Sequence, residues 1–225
     1  MHIGLIGGIG PAATEFYYRG LIDRHAKSDT RLELSIVHAD VREMSRNLAN
    51  RDPRRQADTF ARLLRRLAAA GADIAAITSM GRHFCLPELK PISPVPLLDA
   101  LPEVDAAIRR KNLKTVGILG TRMVMETRLY GAIRSAAVVA PEGDALEEVN
   151  KAYAEMAMAG RVNEAQRRVF FAAGERLRKE QGAEVVLLGG TDLFLAFQGE
   201  ACEFPVLDCA DIHVAAIYQK SLEER

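Results

Sequence analysis

The 225-residue chain has no tryptophan, and its aromatic content is only 6%. Single-strand nucleic-acid binders stack bases on exposed aromatic faces, so this scarcity argues against that class. Neither charge is in excess: 30 Lys and Arg balance 30 Asp and Glu, a formal net charge of zero. With no basic field, neither nucleic acid nor an anionic membrane is an expected partner. The densest basic stretch, Arg51-Asp52-Pro53-Arg54-Arg55, reads as the solvated start of a helix. No apolar run approaches the roughly 20 residues that cross a bilayer. There are three cysteines, Cys85, Cys202 and Cys209. An odd number without CxxC spacing gives neither a disulfide framework nor a structural zinc set. Met1 leads straight into strand-like His2-Ile3-Gly4-Leu5-Ile6 without a basic leader, so the expected setting is reducing and cytoplasmic.

What the chain does have is alternation. Strand-like runs at 2–7, 32–38, 73–78, 95–98, 115–120, 136–140, 184–188 and 205–207 are separated by helical patterns. The helices are expected at 11–26, 53–70, 80–89, 101–111, 123–135, 145–158, 163–181, from 191 and from 210. Pro11 suits a first helical turn, and Gly71 stops the helix carrying Phe60, Leu63, Leu64 and Leu67. Continuous apolar strands between amphipathic helices imply an α/β protein with mainly parallel sheets covered on both faces. Two pseudo-symmetric lobes are expected, 1–97 plus about 205–225 and 98–204, with the active-site cleft between them.

Two segments repeat. Gly71-Ala72-Asp73-Ile74-Ala75-Ala76-Ile77-Thr78-Ser79 matches Gly182-Ala183-Glu184-Val185-Val186-Leu187-Leu188-Gly189-Gly190 position for position. Ligands of such sheets bind beyond the carboxyl ends of the strands. Four ends carry small or hydroxyl residues before a helix: Gly7-Gly8-Ile9-Gly10, Thr78-Ser79, Gly120-Thr121 and Gly189-Gly190-Thr191. Free N–H groups at such helix starts suit a carboxylate or phosphate. The first end is a poor dinucleotide loop, because it spaces its glycines G-x-x-G-G-x-G and places Pro11 at the helix start. No nucleotide is expected there.

Three stretches carry a resemblance. Gly4-Leu5-Ile6-Gly7-Gly8-Ile9-Gly10-Pro11-Ala12-Ala13-Thr14 resembles the opening of aspartate racemases in the cofactor-independent aspartate/glutamate racemase family. Leu119-Gly120-Thr121-Arg122 with Met125-Glu126 is similar to that family's central motif, and Asp208-Cys209-Ala210-Asp211-Ile212-His213 to its last strand and helix. The resemblance spans residues 2 to about 217. It implies an amino-acid site at which two opposed thiols exchange the α-proton without pyridoxal phosphate or metal, in a homodimer. The first thiol belongs to a Cys-Asn-Thr-Ala-His motif and the second to Gly-Cys-Thr-Glu.

Here those motifs read Ser79-Met80-Gly81-Arg82-His83 and Gly189-Gly190-Thr191-Asp192. The resemblance therefore puts Ser79 and Gly190 at the two thiol positions. A serine hydroxyl is a much weaker acid than a thiol and needs a base beside it. His83, four residues on, is one helical turn away and could serve; alternatively, Ser79 simply caps the helix. Arg82 either pairs with an anionic substrate or faces solvent. Gly190 is expected to leave room for a larger substituent. Carboxylate binding is expected from Gly8, Gly10, Met80, Gly81, Thr121, Gly190 and Thr191. Ordinary aspartate racemisation is expected to be absent or very slow. The alternatives are a lyase or hydrolase of a small acid using Ser79 and His83, and a carboxylate-binding protein without turnover.

Overall fold

A computed structural model describes residues 1–223. Glu224 and Arg225, the last residues of the expected N-terminal lobe, lie outside the described residues. The chain divides into two compact units, Met1–Asp99 with the segment from His213, and Ala100–Ile212.

Unit 1 contains β1 (His2–Gly7), α1 (Pro11–Ser28), β2 (Glu33–His38), α2 (Val41–Ala49), α3 (Pro53–Ala69), β3 (Ile74–Ile77) and α4 (Leu86–Leu89). Its three strands run parallel in the order β2-β1-β3. Ile74 to Ile77 is buried throughout, as a strand covered on both faces should be. Leu5, Ile6, Phe60, Leu64 and Leu67 are fully enclosed in the core.

Unit 2 contains α5 (Ala100–Arg110), β4 (Thr115–Leu119), α6 (Arg122–Glu126), β5 (Ala137–Val139), α7 (Gly143–Ala159), α8 (Glu164–Gln181), β6 (Val185–Leu188), α9 (Phe194–Phe197) and β7 (Val206–Asp208). Its parallel sheet has the order β5-β4-β6-β7. A final helix, α10 (Cys209–Ser221), begins in unit 2 and ends in unit 1. The α/β class with parallel sheets flanked by helices is as read from the sequence.

Four local expectations need correction. The helix expected over 123–135 stops at Glu126, because Arg128, Leu129 and Tyr130 all take positive φ, 50°, 56° and 60°. Burial of Leu129 compensates for that unfavourable left-handed run. The segment 80–89 is not one α-helix: Met80–Cys85 is 3-10 and only Leu86–Leu89 is α. Residues 95–98 form no strand; Ala75 and Leu97 make an isolated bridge, with Pro94 and Pro96 unable to donate to a ladder. Finally, α2 was not expected. Asp40 starts it by accepting the N–H groups of Arg42 and Glu43 at 2.7 and 3.2 Å.

Candidate functional site

In unit 1 the candidate residues follow β1 and β3. Gly8 turns the chain with φ +83°, in the left-handed region that favours glycine. A Cβ there would also strike the ring of exposed His38, standing 2.9 Å from its Cγ. The Gly8 N–H donates to Thr14 Oγ1 at 2.9 Å, and the same hydroxyl donates to the Gly10 carbonyl at 3.2 Å. Thr14 Oγ1 also lies 3.5 Å from Thr78 Oγ1, whose hydroxyl donates to the Ile6 carbonyl. These two threonines tie the Gly8–Gly10 turn to the end of β3. The sequence reading missed this role, for which the small polar residues flanking the turns were the signal.

Ser79 follows at once, half-buried and making no cap hydrogen bond. The turn after it is 3-10, in which residues three apart eclipse and residues four apart do not. His83 therefore forms no hydrogen bond with Ser79. Its ring is buried inside unit 1, with Nδ1 3.9 Å from an Asp99 carboxylate oxygen and without a hydrogen-bond partner. Burial holds His83 below its ordinary pKa, against the opposing pull of Asp99 and the Ile77 carbonyl. Asp99 is also held by Lys90 at 2.7 Å. The Met80 side chain is fully buried, while Gly81 is half-buried. Arg82 donates to the Met44 carbonyl at 3.2 Å, in the middle of α2, so its guanidinium ties the turn after β3 to that helix.

In unit 2, Leu119 and Leu188 lie in register at the ends of β4 and β6, and Gly120-Thr121 and Gly189-Gly190-Thr191-Asp192 follow them. Thr121 caps α6, accepting the Val124 N–H at 3.3 Å. Thr191 and Asp192 are buried. Gly190 does not leave the room expected of it. A Cβ on Gly190 would strike Cε2 of Tyr153, and would stand 2.7 Å from its Cζ and 2.9 Å from its hydroxyl. The phenol ring takes the space. Its hydroxyl donates to Asp192 Oδ2 at 3.1 Å, and burial, reinforced by the negative charge of Asp192, keeps Tyr153 protonated.

None of the cysteines stands at position 79 or 190. Burial pushes the Cys85 thiol up to about 12. Burial, then the Asp208 carboxylate, pushes Cys209 well above its ordinary range. The half-buried Cys202 directs its thiol at the Phe204 carbonyl, 3.0 Å away. Asp208 itself is raised to about 7 by burial, although it accepts the Ala210 N–H at 2.8 Å. Among the described residues, no group of three His, Cys, Asp or Glu is placed to hold a metal ion. Among the same residues, no helix is long and apolar enough to cross a membrane.

The model of the Asp/Glu/hydantoin racemase family matches residues 6–217. The chain belongs to that family. Solved structures with the same fold include a candidate Asp/Glu racemase from Yersinia pestis, at 24% identity and TM-score 0.83 over 99% of this chain and 100% of that one. An aspartate racemase homologue from Pyrococcus horikoshii matches at 24% identity and TM-score 0.81, covering 99% of each chain. A glutamate racemase from Francisella tularensis, solved with D-glutamate, matches at 14% identity and TM-score 0.68, over 97% of this chain and 80% of that one. At these identities the likeness is one of fold. This racemase-family chain thus shares the architecture of those proteins, while carrying Ser79 and Gly190 at its own strand ends.

Proposed function

We propose that this protein binds a small carboxylate or amino acid at these strand ends and does not racemise it by two thiols at an appreciable rate. Within unit 1 the reading rests on backbone N–H groups around Gly8, Gly10, Met80 and Gly81; within unit 2, taken by itself, it rests on those around Gly190, Thr121 and Thr191. The observation that carries the reading is the placement and state of the cysteines. Two-base exchange needs a group that can be deprotonated near neutral pH, which is the usual reason for a thiol. Here Cys85 and Cys209 are buried and held protonated, Gly190 has no side chain, and Tyr153 beside it is held neutral. We further propose a cytoplasmic homodimer that uses no pyridoxal phosphate.

A second reading, turnover of a small acid with Ser79 as nucleophile, requires a base at its hydroxyl. His83 is directed at Asp99 instead, which favours binding without turnover over a Ser79-centred lyase or hydrolase.

The test is proton NMR in deuterated buffer with both enantiomers of aspartate and glutamate. Line broadening with an undiminished α-proton signal is expected. Loss of that signal without a new compound, together with appearance of the opposite enantiomer on chiral chromatography, would establish racemisation and overturn the proposal. New product resonances would establish the lyase or hydrolase reading.

A further inference from the structure

Tyr153 is fixed in place from several directions. It lies on the buried stripe of α7 formed by Leu146, Val149, Tyr153 and Met156, whose spacing of three and four residues faces the core. One turn earlier on the same helix, Asn150 accepts the Arg122 N–H at 2.8 Å, and Glu147 pairs with the Arg122 guanidinium, which ties α7 to the start of α6. The phenol hydroxyl is hydrogen-bonded to Asp192, two residues past Gly190. Tyr153 is 7% exposed and Asp192 3%, so the ring has little freedom to swing away from a side chain introduced at 190.

We propose that Tyr153 is the specificity-determining residue at the end of β6: its ring occupies the volume into which a side chain at 190 would project, and its hydroxyl, anchored to Asp192, is the polar group that volume holds. Tyr153 and Gly190 then form a reciprocal pair, each requiring the other. A bound acid meets a rigid aromatic surface here, which admits small substituents and excludes bulky ones. The ligand class rests on the proposed function above; the steric pairing does not.

The experiment combines thermal denaturation with calorimetric titration of the full chain. Gly190→Ala is placed in the wild-type, Tyr153→Phe and Tyr153→Leu backgrounds. Because Phe keeps the ring, the melting temperature should fall as much there as in the wild type. With Leu, which cannot reach the same volume, the loss should shrink by more than half. Equal losses in all three, or relief by Phe alone, would overturn the pairing. Should the Leu variant fail to fold, Tyr153→Met, which is apolar and flexible and also lacks the ring, takes its place in the same comparison.

Titration with D- and L-aspartate against D- and L-phenylalanine then reads specificity. Tyr153→Leu should shift the affinity ratio toward phenylalanine by about tenfold, the scale on which pockets discriminate apolar size. An unchanged ratio would overturn the specificity assignment. If no protein in the series binds any of these acids, the ligand class proposed above fails, while unequal melting losses still uphold the occupancy of the residue-190 volume by Tyr153.

Discussion

His213 is held by both ring nitrogens: Nδ1 lies 2.9 Å from the Tyr17 hydroxyl and Nε2 lies 3.1 Å from the Leu98 carbonyl. The carbonyl can only accept, so Nε2 carries the proton and Nδ1 accepts from Tyr17. The neutral tautomer satisfies both partners. Burial, with the nearby His83 ring as the next contribution, lowers His213 to about 3.

The unfolded chain protonates this residue near 6.5, while the folded one resists until about 3. Between those values the unfolded state binds more protons, so stability falls as the solution is acidified. The ceiling of the effect is roughly 5 kcal/mol, at 1.36 kcal/mol for each unit of displacement. His213→Gln should lower stability at neutral pH and flatten the acid limb of the profile. Urea midpoints measured at successive pH values check this; an acid limb as steep as in the wild type would count against it.

Asp208 acts with the opposite sign. Its folded-state value of about 7 lies above the ordinary 3.8, so the folded state holds the extra proton. Stability is therefore lost as pH rises through that window. Asp208→Asn keeps a carbonyl oxygen for the Ala210 N–H and removes the ionisation. Its advantage over wild type should grow between pH 4 and 7, reaching about 1–3 kcal/mol because Asp208 is only half-buried. A pH-independent difference would contradict the burial argument.

Alkylation distinguishes the three cysteines. Thiolate is the reactive form, and Cys85 and Cys209 are both buried and held protonated. Native protein treated with iodoacetamide near pH 8 should be labelled at Cys202 alone, and at all three sites after denaturation. Mass spectrometry reads both results. Rapid native labelling of Cys85 would show that the end of unit 1 opens readily.

Ser79→Cys places a thiol at one strand end only. With Gly190 and Tyr153 unchanged, it should promote α-proton exchange with solvent while inverting configuration far more slowly. The expected gain over wild type is on the order of 10²-fold or more, the usual contribution of a positioned proton-transfer group. NMR exchange read beside chiral chromatography separates the two outcomes. Equal rates of exchange and inversion would mean that another group returns the proton on the second side.

Period and punctuation made most of the fold legible. The strands at 2–7 and 184–188 announce themselves as short apolar runs, and Pro11 and Gly71 mark helix boundaries. Other features leave no such trace. The left-handed run at Arg128–Tyr130, with Leu129 buried in its middle, is not displayed by residue order. The residue types at 79 and 190 were legible, but the environment of Gly190 was not. Tyr153 precedes it by 37 positions and looks like one more apolar position on a helical stripe. A glycine records the absence of a side chain and says nothing about what fills its place. Likewise, the spacing of Ser79 and His83 suggested contact only under α-helical geometry, and the 3-10 turn removes it.

The division of the chain also bears on the order of folding. Unit 2 is one continuous segment, with every residue it needs present once Ile212 has been made. Unit 1 is split, and partners 196 residues apart must meet before Tyr17 reaches His213 and His25 reaches Ser221. Closing so long a loop is entropically slow in an open chain. Once the intervening segment has folded, the same closure spans a much shorter length of free chain. The second unit to be synthesised is then the first to be finished, and its folding shortens the search that completes the other.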